Sequence, residues 1–167
     1  MLKIFISNLK EYNEGQIIGE WVDLPCEGLE EVLDKISNNG NDELFISDYE
    51  TDISGLKVSE YDNILELNDM TEEIDNLSDD EVIALQAYLE QYNDIEQALE
   101  EVRQGNYTIY YDCDDMSDVA YQVVNESGLL DGVPETIKGY FDYEAYGRDI
   151  DIEGTFIQVD NNIIELY

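Results

Sequence analysis

The sequence predicts an α+β protein, an elongated chain of three small domains (α+β, helical, α+β) packed end to end. Short β-branched and aromatic stretches lie towards both ends of the chain, and a helical pattern of apolar residues fills the middle. No Lys or Arg occurs between Lys57 and Arg103, whereas fifteen carboxylates lie from Glu60 to Glu101. The predicted domains are residues 1–60, 61–104 and 105–167.

The first domain is predicted as strand, strand, helix and strand. Leu2–Ser7 and Gln16–Val22 are rich in residues that favour strands, and a connection with Gly and Asn lies between them. Apolar residues recur at helical spacing over Leu29–Ile36, and Asn38–Gly40 is typical of a helix end. Glu43–Asp48 then predicts the third strand.

The second domain is predicted to be helical. Ser78–Glu81 has the spacing of a capping box, in which Ser and Glu satisfy each other's backbone N–H groups, and an apolar stripe follows over Val82–Leu89. Asn93 or Asp94 is the predicted cap of a further helix, whose apolar residues lie within Ile95–Val102.

The third domain resumes the strand pattern at Tyr107–Asp112, after which Ser117 is predicted to cap a helix that ends before Gly128. Pro134 favours the start of a short helix, because proline is well tolerated in a first helical turn.

The end of the chain predicts one more short helix and a hairpin. Asp142–Arg148 has helical spacing, and Thr155–Val159 with Ile163–Tyr167 predicts two antiparallel strands. None of the predicted domain junctions is rich in Pro or Ser, which favours domains packed with little flexibility.

Charge separates this chain from ordinary domains: 42 Asp and Glu face 7 Lys and Arg, there is no His, and the net charge is −35. Such a charge destabilises the compact state by self-repulsion, so a functional reason is expected.

We expect Cys26 and Cys113 to be free thiols in a cytoplasmic protein, because the N-terminal sequence lacks a signal-peptide pattern. No apolar run reaches 18 residues, and no membrane partner is expected.

Enzymatic activity is not expected, and neither is a cofactor. Without His, and without GxSxG, P-loop, GxGxxG or Cys/His metal spacing, most reaction classes lack their usual groups. Paired carboxylates could hydrolyse glycosides, but among 42 acids such pairs arise by chance.

A calcium loop is the closest metal hypothesis. Asp149, Asp151, Glu153, Gly154 and Asp160 occupy positions 1, 3, 5, 6 and 12 of the EF-hand spacing. Position 12 is Asp in place of the usual bidentate Glu, and isoleucines alternate with the acids after Arg148. We therefore favour the start of a strand here and predict no metal site.

Tyr140, Tyr143 and Tyr146 have helical spacing and predict a half-buried stripe with hydroxyl groups at its rim. Stacking on nucleic-acid bases is disfavoured, because nucleic acid would meet a surface of its own charge. Direct nucleic-acid binding is therefore not expected, whereas tyrosines also suit protein interfaces.

The acids themselves have two explanations, a solvated or salt-tolerant surface and imitation of a polyanion. Duplex DNA carries one charge per about 1.7 Å, so the net charge matches about 60 Å of duplex, or about 120 Å in a dimer. DNA mimicry is the leading hypothesis, with an acidic calcium- or basic-protein-binding module as the alternative. The predicted phosphate surrogates are Glu27, Glu30, Glu31, Glu72, Glu73, Asp75, Asp79, Asp80, Glu100, Glu101, Asp112, Asp114, Asp115, Asp118, Asp142, Glu144 and Asp149.

The segment LLDGVPETIKGYFDYEAYGRDI, Leu129–Ile150, resembles the C-terminal antirestriction motif of the ArdA family of antirestriction proteins. The size, the acidity and WVDLP at Trp21–Pro25 are similar along the whole chain. Eight further residues of this segment are not among the predicted phosphate surrogates and are assigned to the motif and the dimer contact. They are Leu129, Leu130, Asp131, Val133, Pro134, Tyr140, Tyr143 and Arg148.

The resemblance implies an elongated DNA mimic encoded by mobile elements, dimeric through its C-terminal domain. It implies that the protein occupies the DNA-binding site formed by the specificity and methyltransferase subunits of type I restriction-modification enzymes. Leu129, Leu130 and Val133 could support the dimer contact. Tyr146 and Gly147 depart from the small aliphatic residues expected at these positions in the family.

Overall fold

The computed structural model describes residues 1–92 and 94–167, and it confirms the α+β class. These residues form eight helices and two antiparallel sheets of three strands each. The chain divides into two compact units. One comprises Met1–Val82 and a short segment ending at Glu96, and the other comprises Ile83–Tyr92 and Gln97–Tyr167. The three-domain division at residues 60 and 104 stays a prediction.

The first unit contains a sheet with β1 (Leu2–Asn8) at its centre, flanked by β2 (Gly19–Leu24) and β3 (Leu44–Thr51). Both neighbours are antiparallel to β1. Leu2, Ile4 and Ile6 are at most 1% exposed, so one face of the central strand lies in the core. The three strands were all predicted.

The connection between β1 and β2 folds as a short helix, α1 (Leu9–Asn13), that the sequence did not predict. The Asn8 side chain accepts a hydrogen bond from the backbone N–H of Glu11 at 3.1 Å and so caps this helix. The backbone N–H of Gln16 then bonds to the Glu11 carbonyl. The predicted strand start at Gln16 is therefore wrong, because Gln16 closes the turn after α1 and β2 begins only at Gly19.

Helix α2 (Leu29–Ile36) lies where its apolar spacing predicts, with Leu29 and Ile36 buried. Asn38, Asn39 and Gly40 adopt positive φ, which confirms the predicted end of the helix. Helix α3 (Ile64–Asp75) begins after Asn63, whose side chain accepts hydrogen bonds from two backbone N–H groups of the first turn.

The predicted capping box is confirmed at the start of α4 (Asp79–Tyr92). The backbone N–H and the hydroxyl of Ser78 donate to Glu81 Oε2 at 2.8 and 2.7 Å, and the Glu81 N–H donates to Ser78 Oγ at 3.4 Å. Helix α5 (Ile95–Gln104) begins directly after Asp94. Asn93, the other predicted cap, lies outside the described residues.

The second unit contains a sheet in the order β4 (Tyr107–Tyr110), β6 (Asn162–Leu166), β5 (Thr155–Val159). Strands β5 and β6 pair as the predicted closing hairpin, and β4 pairs with the other edge of β6. Tyr110, Cys113, Val119 and Ile163 form a buried cluster beside this sheet.

Helix α6 (Met116–Ser127) follows β4 and ends at Gly128, which has φ +66°. Its cap is Asp115 and not Ser117 as predicted, because Asp115 Oδ1 accepts from the backbone N–H groups of Ser117 and Asp118 at 2.8 and 3.2 Å. A carboxylate is a strong acceptor at this position, and it leaves Ser117 inside the first turn.

Two helices precede the closing hairpin, α7 (Glu135–Lys138), which starts after Pro134 as predicted, and α8 (Tyr143–Glu153). Asp142 caps α8 by accepting from the Ala145 N–H at 2.9 Å. The strand start predicted after Arg148 is wrong, because the helix continues to Glu153. Ile152 is 82% exposed, so the alternation of Ile and Asp does not mark a buried face.

Candidate functional site

The predicted phosphate surrogates are distributed over both units and lie mainly at the surface. They belong to α2 and the residue before its cap, to α3, α4 and α5, to the segment between β4 and α6, to the first turn of α6, and to α8 with its cap. Fifteen of these acids are exposed, and the other two, Glu73 and Glu101, are partly buried.

Helix geometry explains why so many of these acids face water. Leu29 and Ile36 of α2 are buried, whereas Glu30 and Glu31 in its first turn are exposed. Helices α4, α6 and α8 likewise carry acids in their first turns. The partial positive charge at a helix N-terminus stabilises such carboxylates and offsets part of their mutual repulsion.

The structure brings four predicted acids together between β4 and the first turn of α6. Asp118 Oδ2 accepts from the Asp114 N–H at 3.0 Å, Asp112 Oδ1 accepts from the Asn161 side-chain amide at 2.9 Å, and Asp115 caps the helix. These partners are neutral donors. The hydrogen bonds therefore fix the carboxylates of Asp112, Asp115 and Asp118 and leave their negative charges in place.

The cations of the described chain lie largely beside acids of their own unit. Six Lys and Arg side chains lie within 4.0 Å of a carboxylate, in pairs that are mostly exposed. In the predicted set, Arg103 pairs with Glu100 and Arg148 with Glu144. Hydrogen bonds from Gln104 and Arg103 lower the pKa of Glu100, which keeps it ionised. Few cations thus remain to offset the acids.

The motif segment 129–150 covers several elements. Leu129 and Tyr140 are 52% and 85% exposed, Leu130, Val133 and Tyr143 are partly buried, and Arg148 is exposed on α8. Tyr140 precedes α8, so the predicted tyrosine stripe is wrong at its first member. Asp131 and Pro134 are exposed in the turns around α7.

An aromatic cluster holds the start of α8 in place. The Phe141 ring lies 4.8 Å from the Tyr143 ring and 5.6 Å from the Tyr146 ring, centroid to centroid, and Tyr143 lies 5.3 Å from Tyr121 of α6. Sequence reasoning missed Tyr121 and Phe141. The spacing of apolar residues within one helix does not predict which residues of another segment it contacts. The contacts of Tyr121 and Phe141 at the start of α8 could therefore not be derived from the sequence.

The candidate calcium loop does not form. Asp149, Asp151 and Glu153 lie within the continuous helix α8, whereas an EF-hand needs these positions in a loop that wraps around the ion. In the described residues, no cluster of three or more Cys, Asp or Glu side chains is arranged to hold a metal ion.

Cys26 and Cys113 are free thiols, as predicted. Cys113 is fully buried, and burial together with the nearby Asp118, Asp112, Asp114 and Asp115 raises the pKa of its thiol. Among the helices described, none has the length and apolar character needed to span a bilayer.

These features define a class of protein: a strongly acidic α+β chain whose carboxylates are held at the surface of both units and are largely uncompensated. The model of the ArdA antirestriction protein family matches residues 4–165, so the chain belongs to the ArdA family of antirestriction proteins. Comparison with curated proteins gave no match.

Proposed function

We propose that this antirestriction protein mimics B-form DNA and inhibits type I restriction-modification enzymes by occupying their DNA-binding site. The observation that carries the proposal is the exposure of fifteen of the predicted phosphate surrogates in a chain with a net charge of −35. Both units contribute to this set, so the mimicry would use the whole chain and not a single pocket.

The mechanism is electrostatic. A DNA-binding groove uses Lys and Arg to neutralise phosphates and gains affinity from the release of counterions. Carboxylates each carry one negative charge, as phosphates do, and can pair with the same cations. The long-range field of the acids would also accelerate the encounter with a positively charged groove.

The local structure supports rigid presentation of these charges. Asp142 and Asp115 serve as helix caps, and Asp118 and Asp112 accept hydrogen bonds from neutral groups. A carboxylate fixed in this way loses less conformational freedom on binding than a free side chain. The same bonds therefore stabilise the fold and prepare the surface for a partner.

We further propose that the chain acts as a homodimer through the motif segment of the second unit. Leu129, Ile137 and Tyr140 are each more than half exposed, and large apolar side chains in water favour association. Leu130 and Val133 are partly buried next to them in sequence and would continue the contact. Sedimentation of the wild type and of Leu129→Asp, which should shift the protein towards monomer, tests this step.

A cleavage assay tests the function. Purified type I enzyme, unmodified DNA and increasing amounts of this protein should give progressive loss of cleavage, and loss of methylation on the same site. A type II restriction enzyme with its own substrate is the control, and it should not be inhibited at the same concentrations. Full type I cleavage at saturating protein would contradict the proposal.

A further inference from the structure

The outer face of the first sheet carries an aromatic pair within a frame of acids. Residues opposite one another on neighbouring strands project to the same face. The pairings across β2, β1 and β3 therefore give two rows, one of Asp23, Lys3 and Glu50 and one of Trp21, Phe5 and Asp48. The opposite face of β1 is the buried one, with Ile4 and Ile6 in the core. We call these six residues the aromatic-acidic face.

The two rings are held in a fixed arrangement. Phe5 and Trp21 meet edge to face with centroids 5.3 Å apart. A Cβ at Gly19 would come within 2.7 Å of Phe5 Cε1 and 2.4 Å of the Ile6 carbonyl oxygen, so the absence of a side chain at Gly19 leaves room for the Phe5 ring. Trp21 nevertheless remains 37% exposed.

The Trp21 ring already attracts a cation of its own chain. Lys3 Nζ lies 5.6 Å from the ring centroid, within the range of a cation–π contact, and 4.0 Å from Asp23 Oδ1. Asp23, Asp48 and Glu50 are all exposed around this one lysine. The face therefore combines a π surface with an excess of carboxylates.

Arginine fits this chemistry better than other side chains. Its planar guanidinium stacks on aromatic rings, stays charged, and donates two parallel hydrogen bonds to a carboxylate. Its weaker hydration also lowers the cost of leaving water compared with the ammonium group of lysine.

We propose that the aromatic-acidic face docks an arginine side chain of the partner protein, which displaces Lys3 from Trp21. This inference rests on the proposed function, in which the partner is the type I enzyme, and it adds a contact beyond charge mimicry. The carboxylates attract the arginine as phosphates would, and the ring then stacks on it. The stacking contact depends less on salt concentration than the summed attraction between charges does.

Binding of the full-length protein to purified type I methyltransferase tests the inference, with competition by duplex DNA measured in parallel. Trp21→Leu should weaken binding about five- to thirty-fold, the range of one desolvated cation–π contact, whereas Trp21→Phe should retain most of the affinity. Unchanged affinity in folded Trp21→Leu would overturn the docking site and leave DNA mimicry intact.

Lys3→Met supplies a second measurement that does not alter the ring. It removes a competing cation, so it should strengthen binding more than Lys35→Met, which removes the same charge from an exposed pair with Glu20. Equal effects of the two variants would overturn the inference, even if Trp21→Leu fails to fold. A wild-type protein that neither binds the methyltransferase nor competes with DNA would overturn both this inference and the proposed function.

Discussion

Gly147 of α8 packs directly against the backbone of Met116 at the start of α6. A Cβ placed on Gly147 would lie 2.3 Å from the Met116 carbonyl oxygen and 3.2 Å from the Ser117 nitrogen. The glycine is buried, and α8 carries the motif residues Glu144 and Arg148. Close approach of the two helices therefore determines where the motif acids lie.

Gly147→Ala should destabilise the second unit by about 1–3 kcal/mol, the usual cost of forcing extra atoms into a packed site. In an open helix the same change would stabilise the protein by about 1 kcal/mol, because Ala has a higher helix propensity than Gly. The sign of the change in the free energy of unfolding, measured by chemical denaturation, therefore separates steric crowding from helix propensity. Gly139→Ala is the matched control, because a Cβ there meets no atom within 4 Å, and it should be close to neutral.

Ser78→Ala should destabilise the protein by about 1 kcal/mol at neutral pH, as the loss of a Ser cap usually does. Ser127→Ala is the control, because that hydroxyl donates only a 3.4 Å bond to the Val124 carbonyl. If Ser78→Ala lowers the free energy of unfolding no more than Ser127→Ala does, the capping box does not stabilise the protein as proposed.

The difference between wild type and Ser78→Ala should depend on pH. Hydrogen bonds from the Ser78 backbone and hydroxyl lower the pKa of Glu81 in the folded protein. A lowered folded pKa gives stability that is complete above the unfolded value of about 4.3 and is lost as pH falls through the folded value. Ser78→Ala keeps the backbone N–H bond to Glu81 and removes only the hydroxyl bond. Thermal unfolding from pH 6 to pH 3 should therefore show the stability difference between the two proteins narrow without vanishing, and a constant difference would contradict this explanation.

The two cysteines should react at very different rates. Cys26 is partly exposed, whereas Cys113 is fully buried and has a raised thiol pKa, so little of it is thiolate at neutral pH. Iodoacetamide followed by mass spectrometry should label Cys26 first and Cys113 only after unfolding. Equal labelling of the native protein would show that the second unit opens readily around Cys113.

Much of the fold could be predicted where a local pattern decides the structure. Helix α2 follows its apolar spacing, the capping box starts α4, and the closing hairpin follows its turn residues. Helix α1 was missed because five residues are too short for a periodic signal, and its cap Asn8 also ends a strand. The end of α8 was missed because alternating Ile and Asp imitate a strand.

The candidate surface was predictable in part. Fifteen of the seventeen predicted phosphate surrogates are exposed, as a charge-mimicking surface requires. The proximity of Asp112, Asp114, Asp115 and Asp118 follows from the turn that joins β4 to α6, which composition does not reveal. The Phe5–Trp21 pair depends on strand register, which one strand's sequence does not determine.

Neutralising the predicted surrogates should weaken inhibition gradually. Glu30→Gln with Glu31→Gln should change the inhibition constant little, whereas ten substitutions from the predicted set should weaken it by orders of magnitude, because the interaction is a sum of charges. Asp142→Ser is an informative single change, since serine keeps the cap of α8 and removes the charge. Complete loss of inhibition in Asp142→Ser would indicate one discrete site.

Competition with DNA for a type I methyltransferase tests mimicry most directly. A fluorescent duplex containing the target sequence is bound to the enzyme, and this protein is titrated at low and at high salt while anisotropy reports the bound duplex. DNA mimicry predicts full displacement of the duplex and a competitor affinity that falls steeply as salt rises. Inhibition of the enzyme while the duplex stays bound, or a competitor affinity that does not change with salt, would contradict it.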